Sequence, residues 1–144
     1  YFSSWVYPTL YMALALPEFT TVGALSKRFS MSSDLVKESL EKLLEMDLVF
    51  KKGSNYYQTR KWIRLEKSSP LMRQHHSNMR AKAMDSMMMN LDKNLNYSSY
   101  ITISEKDFSK ARELIVNCLK DLQGMVEHSP EETLVGLSMD LFEF

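Results

Sequence analysis

Several features are scarce in this 144-residue sequence, and each scarcity excludes a class of protein. The single cysteine, Cys118, excludes an internal disulfide framework, and we expect its side chain to be buried as a small apolar group. No apolar run is long enough to span a bilayer and no signal peptide is recognisable, so we expect a cytoplasmic protein without a membrane partner. The start at Tyr1 rather than Met predicts that the chain is a piece of a longer polypeptide.

The sequence also lacks the motifs that mark most catalytic and metal sites. Its three histidines are His75, His76 and the distant His128, and neither a His-Glu-x-x-His pattern nor paired cysteines accompany them. No glycine-rich phosphate loop and no nucleophile elbow is present. We therefore expect no catalytic residue, no metal ion and no cofactor, and we predict that the protein is not an enzyme.

Charge is balanced over the whole chain but is unevenly distributed along it. Residues 1–67 carry ten Lys or Arg against seven Asp or Glu, a net charge of +3, and residues 68–144 carry eight against eleven, a net charge of −3. Much of the basic excess lies in one run, formed by Lys51, Lys52, Arg60, Lys61, Arg64 and Lys67. Local positive charge of this kind favours contact with phosphate groups. A solvated charged face is the alternative interpretation of the same run.

A helix-turn-helix pattern occupies residues 25–46. Apolar residues recur at helical spacing in both halves, and the second helix is expected over residues 32–46. Ser32 or Ser33 stands where the hydroxyl of an N-cap residue is expected. Ser30 stands in the turn, where many such sequences have glycine, and it can form the turn by bonding its own backbone.

A basic β-hairpin pattern follows directly. Asp47 ends the second helix at a position where left-handed backbone is common. Residues 48–52 and 56–59 then flank a tip made of Gly53, Ser54 and Asn55. The order of helix, turn, helix and basic hairpin predicts a winged helix-turn-helix, a unit that presents its second helix to a groove of DNA.

Two further helices are expected around this unit. The first covers residues 5–16 and is stopped by Pro17, and a long one runs from Pro70 to about Asn94. The long helix has a stripe that is rich in methionine, which we interpret as adaptable core; a deformable pocket wall is the alternative. The stripe includes Met79, Met84, Met87, Met88 and Leu91.

The final third of the chain predicts a strand, a helix and a strand. The strands are expected over residues 97–104 and 133–144, with an amphipathic helix between them to about Glu127. Because two strands alone are marginal, we expect further strands from the same chain or from a second subunit. The predicted fold class is α+β, a winged-helix domain over residues 1–67 followed by a helical or αβ dimerisation or regulatory domain over residues 68–144.

Four short motifs outside the helix-turn-helix carry a resemblance. They are Tyr-Phe-Ser-Ser-Trp at 1–5, Arg-Gln-His-His at 73–76, Tyr-Ile-Thr-Ile-Ser-Glu at 100–105 and Met-Asp-Leu-Phe at 139–142. With these motifs, essentially the whole chain resembles a bacterial family of largely unknown function, best represented in predatory and fibre-degrading bacteria, whose members are generally described as transcriptional regulators. The resemblance implies a winged-helix segment followed by an αβ segment, and it implies no catalytic residues.

These observations predict a DNA-binding transcriptional regulator. The helix over residues 32–46 would enter the major groove while the basic wing contacts phosphates. The residues predicted to contact DNA are Lys27, Arg28, Ser33, Asp34, Lys37, Glu38, Lys51, Lys52, Asn55, Arg60 and Lys61. Glu38 and Glu41 speak against this hypothesis, because carboxylates facing a duplex repel phosphate. The alternative is a winged-helix module for protein interaction or assembly that does not bind DNA.

The predicted partners are double-stranded DNA and a second copy of the chain. Many regulators bind two half-sites as symmetric dimers, and we expect the C-terminal αβ segment to form the interface of a homodimer. A small-molecule effector could bind near Met87 and Tyr100. Packing between subdomains is the preferred interpretation of these side chains, because no group of convergent polar residues marks a ligand site.

Overall fold

A computed structural model of the chain describes residues 1–61, 63–66, 68–89 and 92–144. Within those residues the fold is mixed, with five α-helices and one two-stranded antiparallel sheet. The elements are α1 (Val6–Ala13), α2 (Val22–Phe29), α3 (Ser33–Glu45), β1 (Val49–Lys52), β2 (Asn55–Gln58), α4 (Leu71–Met88) and α5 (Glu105–Glu127). Two residues named above, Lys67 in the basic run and Leu91 in the methionine-rich stripe, lie outside the described residues.

The ends of α2 and α3 confirm the sequence signals that predicted them. The hydroxyl of Ser32 accepts a hydrogen bond of 3.2 Å from the backbone N–H of Leu35, so Ser32 is the N-cap of α3. Ser30 has a φ of 52° and Asp47 a φ of 54°, the left-handed conformation expected at both turns. The chain therefore reverses direction before and after α3 without glycine at either position.

The core lies between α1, α2, α3 and the hairpin. Fully buried side chains come from each helix and include Leu10, Leu25, Val36, Leu40 and Leu43. Along α3, these buried positions recur at helical spacing, so one face of the helix packs inward and the opposite face meets solvent. The core thereby fixes which side chains of α3 are available to a partner.

The hairpin forms where it was predicted, with three of its four strand ends shifted by one residue: its strands cover 49–52 and 55–58 instead of 48–52 and 56–59. Val49 pairs with Gln58 and Lys52 with Asn55, and Gly53 at the tip has a φ of 62°, which glycine adopts without steric cost. The backbone N–H of Tyr56 also donates a 2.7 Å hydrogen bond to the carbonyl of Thr20, just before α2. The hairpin is thus tied both to the end of α3 and to the segment between α1 and α2.

Four expectations for the flanking elements were wrong. α1 ends at Ala13 instead of residue 16, and α4 ends at Met88 instead of about Asn94. No strand forms at residues 97–104 or 133–144 within the described chain, because neither segment finds a hydrogen-bonding partner there. The methionines at the end of α4 are exposed rather than packed, namely Met84, Met87, Met88 and Met89.

The single cysteine lies on α5 and is exposed, although the sequence predicted that it is buried. The helix itself covers Glu105–Glu127, and Ser104 caps it by accepting a hydrogen bond from the N–H of Asp107. Cys118 is exposed, so its predicted burial is wrong. The reason is that no residue of α5 is buried, and no other described element packs extensively against it. None of the described helices is long and apolar enough to cross a membrane.

Candidate nucleic-acid interface

The first turns of α3 carry four of the residues predicted to contact DNA. Ser33, Asp34, Lys37 and Glu38 are all exposed, because the face of α3 that contains Val36 is in the core. The corner before α3 is held by Ser26, whose hydroxyl lies 3.4 Å from that of Ser33. The leading end of α3 is therefore a fixed, solvent-facing surface.

The outward face of α3 is acidic along its whole length. Asp34, Glu38, Glu41 and Glu45 recur every three or four residues, so they lie on one side of the helix, and all four are exposed. Lys42 donates a hydrogen bond to Glu38; this bond lowers the pKa of Glu38 and raises that of Lys42. The charge of Lys42 offsets one carboxylate, and the face as a whole stays negative.

The two lysines of the hairpin lie on opposite faces of it. Lys51 is opposite Tyr56 on the face that meets the core, and its ammonium lies 5.1 Å from the centre of the Tyr56 ring. Lys52 is opposite Asn55 on the outer face, where the Asn55 amide donates a 3.3 Å hydrogen bond to the Tyr57 hydroxyl. The sequence predicted both lysines as phosphate contacts, but their surroundings differ.

The two basic residues at the end of α2 also have different surroundings. Both Lys27 and Arg28 are exposed. The guanidinium of Arg28 lies 6.0 Å from the centre of the Phe19 ring and 5.7 Å from that of Phe29, within cation–π distance of both. These three residues line a depression that Glu132 also lines, so Arg28 faces the C-terminal segment.

The connection after the hairpin is held in place by α1 and by the C-terminal segment. Arg60 has a φ of 56°, and its guanidinium forms a 2.9 Å ion pair with Glu131. The Tyr11 hydroxyl donates a 3.0 Å hydrogen bond to the carbonyl of Lys61, while burial raises the pKa of Tyr11. The Lys61 side chain is exposed. Arg60 is thus partly neutralised by an acidic residue that is distant in sequence.

Four of the predicted lysines are exposed and have charge that is not paired. Among the described residues, no ion pair and no cation–π contact involves Lys27, Lys37, Lys52 or Lys61. Lys27, Lys37 and Lys52 lie on α2, α3 and β1, and Lys61 follows the hairpin. Of the eleven predicted residues, these four have the positive charge that is most available to a phosphate.

Sequence reasoning missed an aromatic pair on the outer face of the hairpin. Phe50 and Tyr57 are cross-strand partners whose rings stack at 5.4 Å between centres, and Phe50 is 49% exposed. The pair lies beside an open depression of about 360 Å³. The alternation of the strands could have revealed it, since Val49 and Tyr56 occupy the core face and leave Phe50 and Tyr57 outside.

The histidines do not form a metal site. Among the described residues, no group of three or more His, Cys, Asp or Glu side chains could hold a metal ion. His75 on α4 packs edge-on against Phe2, with ring centres 5.1 Å apart. Burial lowers the pKa of His75, and the neighbouring His76 lowers it further. Its contacts are those of a packing residue.

Comparison with known protein families gives a match over the full length. The model of the family described as a domain of unknown function, DUF4423, matches residues 1–144. No curated protein and no solved structure matches the chain.

Proposed function

We propose that this chain, which belongs to the DUF4423 family, is a cytoplasmic DNA-binding transcriptional regulator with a winged helix-turn-helix at its N-terminal end. The observation that carries the proposal is the set of exposed lysines without an ion pair among the described residues on three successive elements, Lys27 on α2, Lys37 on α3 and Lys52 on β1. The resemblance to bacterial regulators, expected from the sequence motifs, is part of the same proposal.

The order of the N-terminal elements supports the winged-helix part. Three helices are followed by a hairpin, and the hairpin is hydrogen-bonded through Tyr56 to Thr20 between the first two helices. α2 and α3 are joined by a turn with one left-handed residue, Ser30. In this arrangement the second helix of the pair is the one that enters the major groove.

The proposed mode of binding separates position from sequence readout. Lys27 and Lys52 contact phosphates on either side of the groove, which sets the register of the protein without reading bases. Ser33 and Lys37, on the leading turns of α3, contact base edges in this mode. Asp34 and Glu38 accept hydrogen bonds from cytosine amino groups in this mode, since elsewhere their charge repels the duplex.

A salt-titrated binding assay with random-sequence duplex DNA tests the proposal. We expect binding that weakens as salt increases, because each phosphate contact releases counterions. Replacing Lys27, Lys37 and Lys52 together by Ala should flatten the dependence of log K on log salt by about 0.9 for each phosphate that the variant no longer neutralises.

The matched control removes three lysines from α5. Replacing Lys106, Lys110 and Lys120 by Ala changes the net charge by the same amount, and we expect the salt dependence to stay as in the unaltered chain. Equal losses in the two triple variants would mean that only net charge matters. Absence of binding at low salt, in a folded protein, would overturn the proposal.

A second candidate function is a protein-interaction or assembly module on the same scaffold. The acidic outward face of α3 and the exposed stack of Phe50 and Tyr57 favour it, because aromatic residues are enriched at protein interfaces. It predicts that Phe50→Ala abolishes capture of a protein partner while the three-lysine variant retains it. The DNA-binding proposal predicts that the three-lysine variant loses affinity for duplex DNA and that Phe50→Ala retains it.

A further inference from the structure

The C-terminal part of the chain exposes apolar side chains that a solvated surface does not require. α5 has a hydrophobic face over 23 residues, yet none of its residues is buried. Leu114 is 70% exposed and Met125 is 63% exposed. A helix with such a stripe normally buries it against another element, but here the stripe residues Phe108, Ala111, Ile115 and Leu122 are only half-buried. One chain therefore covers this face only in part.

The chain after α5 has the same character. Two of its even-numbered residues contact the rest of the chain: Leu134 packs against the core, and Asp140 forms an ion pair with Arg80 of α4. Odd-numbered apolar residues alternate with these and are exposed, including Val135 and Leu137. Phe142 and Phe144 at the chain end are exposed as well, so this segment leaves several apolar side chains uncovered.

The spacing along α5 indicates what covers it. Apolar residues recur at alternating intervals of three and four, at Phe108, Ala111, Ile115, Cys118, Leu122 and Met125. This seven-residue repeat is the pattern of a helix that pairs with another helix through knobs-into-holes packing. Within the described chain no other helix packs extensively against α5. A second copy of α5 supplies an identical seam.

Charges beside the seam fit a parallel pair of α5 helices. In such a pair, the residue before the first seam position of a heptad lies near the residue five positions later on the other helix. Asp107 then lies near Arg112 of the second copy, and Leu114 near Leu119, an attractive pair and an apolar pair. Both contacts occur twice, because the arrangement is symmetric.

Exposed aromatic side chains outside α5 add to the apolar surface that a second copy can cover. Four aromatic side chains, in the segment before α5 and at the chain end, are at least 65% exposed: Tyr97, Tyr100, Phe142 and Phe144. At about 150 Å² each they offer roughly 600 Å² per chain before the aliphatic residues are included. A stable interface buries about 800 Å² per partner.

We propose that a second copy of this chain covers the C-terminal apolar surface through parallel, in-register pairing of α5. The inference goes beyond DNA binding and does not depend on it. Parallel pairing places the two N-terminal segments at the same end of the dimer, which is what a protein that reads two half-sites needs.

The mass of the chain in solution tests the proposal without DNA. Light scattering should give twice the mass of one chain, and Leu114→Asp should reduce this to the monomer mass, because two charges would be buried without partners. Ser109→Asp adds the same charge on the opposite side of α5, where the side chain is exposed, and should leave the dimer intact. Since no residue of α5 is buried within one chain, neither change should unfold the monomer.

Cys118 reports the pairing directly, because it is the only cysteine. In a parallel pair the two Cys118 residues face each other across the seam, close enough for mild oxidation to yield a covalent dimer. Asn117→Cys in a Cys118→Ser background should give no covalent dimer. The proposal would be overturned if the native chain were a monomer. It would also be overturned if the dimer persisted in Leu114→Asp and oxidation of Cys118 gave no covalent dimer; the surface would then belong to contact with a different protein or with further chain.

Discussion

The two hairpin lysines provide the sharpest test of the DNA-binding mode, because they are adjacent in sequence and different in structure. Lys52→Ala removes an ammonium from the outer face of the hairpin, next to Asn55 and away from the core. If this group contacts one phosphate, its removal should reduce the slope of log K against log salt by about 0.9. The fold should be unaffected, since the Lys52 side chain is exposed.

Lys51→Ala should affect the stability of the fold more, and the salt dependence of DNA binding less, than Lys52→Ala does. Its ammonium lies over the Tyr56 ring at 5.1 Å, and a cation–π contact of this exposed kind contributes about 0.5–1 kcal/mol. We expect a small decrease in melting temperature and a smaller change in slope than for Lys52→Ala.

The assay is fluorescence anisotropy with a labelled duplex at several salt concentrations, together with a thermal melt of each variant. Lys120→Ala on α5 is the control, and its slope should equal that of the unaltered chain. A larger change in slope for Lys51→Ala than for Lys52→Ala would refute the assignment of the outer hairpin face to DNA.

Three further predictions concern stability. Leu40→Ala, at a fully buried position of α3, should lower the free energy of unfolding by about 2–5 kcal/mol in chemical denaturation. Ser32→Ala removes the hydroxyl that caps α3 and should cost about 1 kcal/mol, whereas Ser54→Ala at the exposed hairpin tip should cost much less. His75 has a pKa below its ordinary value, so the unfolded chain binds a proton at this residue more readily than the folded chain does. The contribution of neutral His75 to the free energy of unfolding should therefore be complete above about pH 6.5 and should decline as the pH falls through the folded pKa. Melts from pH 8 to pH 5 should show a smaller decline for His75→Gln, and an equal decline would contradict this cause.

The N-terminal elements could be predicted because their signals are local. The N-cap at Ser32, the left-handed Ser30 and the periodic apolar residues of α3 each depend on neighbours within a few residues. The same signals predicted the bounds of α3 within one residue. Hydrogen bonds that close the hairpin also form between residues near in sequence.

The C-terminal strands could not be predicted from the same kind of signal. Tyr100, Ile101 and Ile103 have high strand propensity, but propensity forms a strand only where a partner supplies the ladder hydrogen bonds. The described chain supplies none at these residues. The burial of Cys118 was wrongly predicted for a related reason, because one chain covers the apolar face of its helix only in part.

The sequence identified the basic residues of the candidate site, but it did not predict their orientations or their ion-pair partners. Exposure of the basic residues follows from their charge, and the sequence identified them. The opposite orientations of Lys51 and Lys52 depend on the register of the hairpin, and the ion pair of Arg60 with Glu131 joins residues far apart in the chain. Neither feature leaves a local pattern from which it could be predicted.

Nuclear magnetic resonance of the isotopically labelled chain, with random-sequence duplex DNA added at low salt, tests the central claim most directly. We predict that the largest changes in backbone amide shifts occur at the leading turn of α3, around Ser33 and Lys37, and at the outer hairpin near Lys52, and that they disappear when salt is raised. The amides of α5 should not move. Shifts spread evenly over the basic side chains of the whole protein, or no shifts at all, would contradict the claim that this surface binds DNA.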